Sequence, residues 1–248
     1  MKPLINFSSY NQESLINGIN NLRMFLLEDK PHIKEYYKIR KIHSEIFNAM
    51  IQYYDNDKFK RQISADIDSD TKSELLELLE SNFDLETHTG LHSYYDMLVY
   101  KHASYMNCIT EDFIKNNHYK RPEKKEFLQS MLDSKPGLFE VTGIDMKEGY
   151  AYIKDVFTGA EYKIIDIGLS GNQNNDRHYI YTRIITYHDI SIGTGLNFIF
   201  KKTDNFIRNH IQQHRKDFSL NGEFPRFIQL YNRYSQDPDK VRTILNEF

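Results

Sequence analysis

The chain has 248 residues, enough for one large domain or two modest ones, and its 40% apolar and 27% charged residues are the balance of an ordinary soluble globular protein. A formal net charge of −3 excludes a global electrostatic pull toward nucleic acid or an anionic membrane. One cysteine, Cys108, excludes an intramolecular disulfide and fits a reducing compartment, and no segment approaches the roughly 20 apolar residues of a membrane span. With no secretory pattern after Met1, a cytoplasmic location is expected.

In chain order, Leu15, Ile19, Leu22 and Leu26 recur at helical spacing between Asn11 and Asp29, ahead of Pro31. A longer helix is predicted over Ile33–Tyr54, with Ile39, Ile42, Ile46, Met50 and Tyr53 inward. Thr71 and Glu74 have capping-box spacing and open a further helix through Leu79. Leu91–Ile109 reads as helix burying Leu91, Tyr95 and Leu98. Pro122 suits the first turn of another, whose face is Phe127, Leu128, Met131 and Leu132, stopped at Ser134-Lys135-Pro136-Gly137.

There the period changes from 3.6 to 2. Five strands are predicted, near Leu138–Asp145, Gly149–Val156, Glu161–Ile167, His178–Tyr187 and Ile190–Lys201, with Phe157-Thr158-Gly159 as a tight hairpin. Closure into a small barrel would hide their edges. The polar loop Gly168–Arg177 is expected to be mobile and to present contacts. Helical spacing returns after Thr203: a helix capped by Asp204 with Ile207 and Ile211, one from near Pro225 with Phe227, Ile228, Tyr231 and Tyr234, and one from Asp237 with Val241, Ile244, Leu245 and Phe248. The expected fold is α+β: a helical domain over 1–135, a small five-stranded antiparallel barrel or twisted sheet over 136–202, and a helical tail over 203–248. So much apolar surface in the tail predicts that it folds back, in the main on the helical domain, with a homodimer contact through the final helix as an alternative.

The runs Phe127–Val141, around Ser134-Lys135-Pro136-Gly137, and Gly149–Tyr162, with Asp155-Val156-Phe157-Thr158-Gly159, resemble a group of uncharacterised bacterial proteins. There a helix ends at a Pro-Gly stop and a strand and a Thr-Gly hairpin follow, often with a SEC-C-type zinc tail. The resemblance covers roughly residues 117–202 and its motifs are structural. This chain has Asp176-Arg177 where that group tends to read Gly-Asp, and with Cys108 alone it lacks the zinc tail.

Three constellations bear on chemistry. Asp66, Asp68, Asp70, Glu74 and Glu77 follow a calcium-loop register but have Thr71 at the Gly position, so a capped helix start explains them more simply. His88, His92 and Asp96 stack at i, i+4 and i+8, a donor set for Zn²⁺ or Mn²⁺ if the helix starts early enough; Gly90 argues against that. His210 and His214 form a second i, i+4 pair, and neither pair has the Glu of a His-Glu-x-x-His site. Cys108 and Ser170 lack a nucleophile signature, and Gly193-Thr194-Gly195 lacks the third Gly of a dinucleotide loop.

From Lys201 on, nine basic residues face six acids, among them Arg208, Arg215 and Lys216. Tyr179, Tyr181 and Arg183 share one face of the fourth strand and would make stacking platforms. With no motif that needs a reactive group, the expected function is a non-enzymatic interaction or adaptor protein whose barrel and tail bind a protein partner. The alternatives are a metal-dependent enzyme using His88, His92 and Asp96, or nucleic-acid binding through the barrel and basic tail. No cofactor is specified.

Overall fold

The structure, a computed structural model, describes residues 4–6, 20, 29–55, 81–100, 108–116, 121–216, 223–235 and 245–247. The chain divides into two compact units, 1–40 with 134–248, and 41–133. The helices expected over Asn11–Asp29 and after Thr71, and the Asp66–Glu77 register, lie almost wholly outside the described residues.

Helix α1 spans Pro31–Asp55, with Pro31 as its first-turn residue. Its last turns, with His43, Ile46 and Met50 buried, belong to the 41–133 unit. The rest of that unit is α2 (His88–Val99), α3 (Ile109–Asn116) and α4 (Pro122–Leu132). One helix was expected over Leu91–Ile109. Instead α2 starts earlier, where Thr87 Oγ1 accepts from Gly90 N (3.1 Å), and ends at Val99, with Tyr100 extended. Gly90 is a packing residue: a Cβ there would lie 1.9 Å from Asp84 O. The earlier start puts Tyr94, Met97 and Tyr100 in the core and leaves Leu91 exposed, against expectation. His43 Nε2 and Tyr100 OH share a buried hydrogen bond of 2.7 Å, and α4 buries Phe127, Leu128 and Met131 as its period implied.

The other unit is built on a closed barrel. Its strands are β2 (Lys135–Asp145), β3 (Tyr150–Asp155), β4 (Glu161–Ile165), β5 (His178–Tyr187) and β6 (Ile190–Gly193). The long β2 is bent by an irregularity between Val141 and Gly143, which lets its ends serve two neighbours: Phe139–Asp145 pairs with β3 and Lys135–Glu140 with β5. The ring runs β2-β3-β4-β6-β5 and back to β2, antiparallel except for the parallel β4–β6 pair. This is a five-stranded Greek-key closure of the OB-fold kind. The strand expected over Ile190–Lys201 is broken at Gly193-Thr194-Gly195, where Gly195 has φ 101°. Its second half, β7 (Phe198–Lys201), pairs with His178–Tyr181 of β5 outside the ring. Val141, Ala151, Ile153, Ile164 and Ile180 are fully buried in the barrel.

The segment expected to be a mobile loop is two short 3₁₀ turns, Leu169–Gly171 and Gln173–Arg177, and most of it is buried. Its polar side chains bond its own backbone. Asn175 Nδ2 donates to Leu169 O (2.7 Å), Asp166 Oδ1 accepts from Leu169 N (2.8 Å), and Asn172 Oδ1 accepts from Asn174 N (2.9 Å).

Helix α5 (Asn205–Lys216) is capped by Asp204, whose Oδ1 accepts from Phe206 N (2.8 Å), and α6 is Glu223–Ser235. Both belong to the barrel unit. Phe227 and Tyr234 of α6 stack on Phe198 at ring separations of 5.7 and 5.0 Å, and Phe227 also meets Tyr181 at 5.1 Å. The tail helices thus pack on the barrel. Of the predicted last helix, Leu245–Glu247 is strand (β8), antiparallel to β1 (Leu4–Asn6), and residues 236–244 lie outside the described ones.

Candidate functional site: a groove between the hairpin and helix α5

The β3–β4 hairpin is rigid for local reasons. Asp155 closes β3, and its Oδ1 accepts from Phe157 N (2.8 Å) and Thr158 N (2.7 Å), while Gly159 N returns to Asp155 O (2.9 Å). Gly159 supplies φ 75°, which a side chain disfavours. Helix α5 grips this hairpin: Arg215 Nη2 donates to Val156 O (3.1 Å), and the His210 ring meets Phe157 at 6.5 Å. Arg226 of α6 lies over the same Phe157 at 5.7 Å.

Between hairpin, outer barrel wall and α5 lies an open groove of about 270 Å³. Lys154, Thr158, Tyr179, Ile211 and Arg215 line it, with Glu140 on its wall. Lys202 Nζ donates to Glu140 (2.7 Å) and to Val141 O (3.0 Å), and lies 5.9 Å from the Tyr179 ring. Lys154 pairs with Glu161 across the strands at 2.9 Å. Partial burial, and then Glu140, push the Tyr179 hydroxyl above its ordinary value of 10.0, while Arg215 and Arg208 pull the other way. The phenol is therefore protonated at neutral pH, with a proton to donate.

Of the six residues expected to form a binding surface, the structure brings two together here, Tyr179 from β5 and Arg215 from α5, and the charge of Arg208, also on α5, reaches Tyr179. Tyr181 and Arg183 share the face of Tyr179, as their period implied, but that face is covered. Tyr181 is 4% exposed beneath Phe227, and Arg183 is 0% exposed, with Nη1 3.3 Å from Ser134 Oγ, so neither is a surface platform. The side chain of Lys216 lies outside the described residues. Glu140, Lys154 and Thr158 were not anticipated. Thr158 was placed only as a hairpin residue, and strand alternation says nothing of what α5 would lie against.

Of the metal candidates on α2, only His92 and Asp96 have described side chains. His88, where α2 begins, has its side chain outside the described residues, His92 is half-buried and Asp96 buried. Among the described residues no group of three His, Cys, Asp or Glu is placed to hold a metal ion. His210 and His214 are in ring contact at 4.5 Å, and burial, then His214, push His210 from 6.5 down to about 4. Cys108 is buried, and the Ser170 hydroxyl donates to Ile167 O (3.3 Å) with no base beside it among the described bonds.

No helix among the described residues is long and apolar enough to cross a membrane. No curated protein and no solved structure matches the chain. One family does match, over residues 30–244, and its description names no activity, partner or zinc tail. The chain belongs to DUF7986, a family of unknown function.

Proposed function

We propose that the protein is a non-enzymatic interaction protein that holds an extended segment of a protein partner in this groove. One observation carries the reading: Tyr179 of β5 and Arg215 of α5, distant in sequence, line one open groove on the barrel, and the charge of Arg208, on the same helix as Arg215, reaches Tyr179. Aromatic residues and arginines are the side chains that anchor protein interfaces. The lining is also mixed in charge, with Glu140 and Asp155 beside Lys154 and Arg215, whereas a nucleic-acid track gains affinity from one sign of charge. Phe206, exposed on the first turn of the same helix, supports a protein contact beyond the groove. The barrel closure by itself supports no particular ligand, since such folds host many functions. A lone, buried Cys108 favours a reducing compartment such as the cytoplasm.

The test is a photo-crosslinking side chain at Thr158, on the groove, compared with one at Glu126, exposed on α4. The expected result is a set of protein adducts at Thr158 only, resistant to nuclease and lost in an Arg208→Ala/Arg215→Ala variant. Adducts that vanish with nuclease, or that are equal at both positions, contradict it.

A further inference from the structure

The charged groups around the groove differ in how fully they are already engaged. Every acid has partners. Glu140 receives Lys202, Glu161 receives Lys154, and Asp155 accepts two backbone N–H groups and feels the charge of Arg226. The arginines are different. Arg215 donates once, to Val156 O, and Arg208 once, to the neutral side chain of Asn205; among the described residues neither faces a carboxylate at ion-pair distance. The bond of Arg215 to a hairpin carbonyl holds its guanidinium at the groove, with further N–H groups left to donate. Beside it stand two hydroxyls. Tyr179 is protonated, and Thr158 Oγ1 accepts from Ala160 N (3.3 Å), which leaves its own proton to give.

We infer that the corner formed by Arg215, Tyr179 and Thr158, within the field of Arg208, is a subsite for an oxyanion, a carboxylate or phosphoryl group carried by the bound segment. This deepens the groove reading and rests on it. A planar fork with adjacent hydroxyl donors matches a planar carboxylate or the face of a phosphoryl group, and charge-assisted bonds of this kind are the stronger class. Arg215 at the corner and the field of Arg208 beyond it bias the corner toward an anion even though the chain as a whole is negative.

The experiment titrates the ¹⁵N-labelled full chain with inorganic phosphate and, separately, with acetate, at ionic strength held constant with chloride. Saturating shifts of the Thr158 and Gly159 amides are expected. Arg215→Gln should weaken them about tenfold or more. Arg208→Gln, at an exposed position without a bond to the hairpin, should weaken them severalfold with the rest of the spectrum unchanged, which keeps the test valid if Arg215→Gln disturbs the hairpin. Saturation by both anions assigns the shared oxyanion chemistry, and saturation by phosphate alone assigns a phosphoryl group. Shifts that are linear, or as large with chloride, or unaltered in both variants, overturn the subsite. If that happens while nuclease-resistant adducts at Thr158 persist, the groove reading stands and only its ligand chemistry falls; loss of both removes both.

Discussion

Two parts of the outer barrel wall follow the same alternation and end in opposite states. On β5 and β7, Tyr181, Phe198 and Phe200 point out of the barrel into the rings of α6, and all three are under 5% exposed. On β3 and β4, Tyr152 is 40% exposed, Lys163 stands opposite it, and the Lys163 ammonium lies 3.6 Å from the Tyr150 ring centroid. The alternation decides which side of the sheet a residue takes. What lies over that side decides whether it is core or surface. Tyr179 sits where one regime gives way to the other, two residues from buried Tyr181 on the same face, and the groove opens at that margin.

The sharpest way to break this comparison is at the covered wall. Phe198 is fully buried among Tyr181, Phe227, Tyr231 and Tyr234, so Phe198→Ala should cost about 3–5 kcal/mol by chemical denaturation, from lost burial plus the cavity. A loss below 1 kcal/mol would mean that α6 does not form a second core.

The next effect depends on pH. His210 packs among Phe206, His214, Phe157 and, on α6, Arg226 and Gln229, and it resists protonation down to about 4 against the usual 6.5. The unfolded chain takes up that proton first. The stability associated with neutral His210 is thus complete above pH 6.5 and falls as pH drops toward about 4. In His210→Phe the melting temperature should decline less steeply across that window than in the parent; an unchanged slope would place the ring in solvent.

A smaller effect belongs to the hairpin. A Cβ at Gly159 meets nothing within 4 Å, so Gly159→Ala is penalised only through its φ of 75°, by about 1–2 kcal/mol. The smallest lies on the open wall. Lys163→Ala removes an exposed cation–π contact and should change stability by less than about 1 kcal/mol. A larger loss there would show that this wall, too, is covered.

How much of this was legible in the sequence follows the same division. Tyr179, Tyr181 and Arg183 could be placed on one face because period two is local. The cover over Tyr181 could not be read, since it comes from Phe227 at a distance along the chain that no local pattern encodes. The period placed a strand over Ile190–Lys201, but that it breaks at Gly193-Thr194-Gly195 into halves serving the same edge of β5 depends on barrel closure. Gly168–Arg177 was misread because polarity suggested solvent, whereas Asp166, Asn172 and Asn175 use their polar groups on nearby backbone. In the site, Arg208 and Arg215 stood out by charge, while Glu140 and Lys154 gain meaning only through their pairing across β2 and β3.

The most direct measurement sets Tyr179→Ala beside Tyr181→Ala, two positions on one face of one strand, and reads both melting temperature and cross-link yield from Thr158. The account predicts that Tyr181→Ala is destabilised by about 3 kcal/mol or more, as a buried aromatic lost from a core. Tyr179→Ala should keep its melting temperature within a few degrees and lose the Thr158 adducts. Full adduct yield from a folded Tyr179→Ala protein would contradict the assignment of the groove as the partner-binding surface.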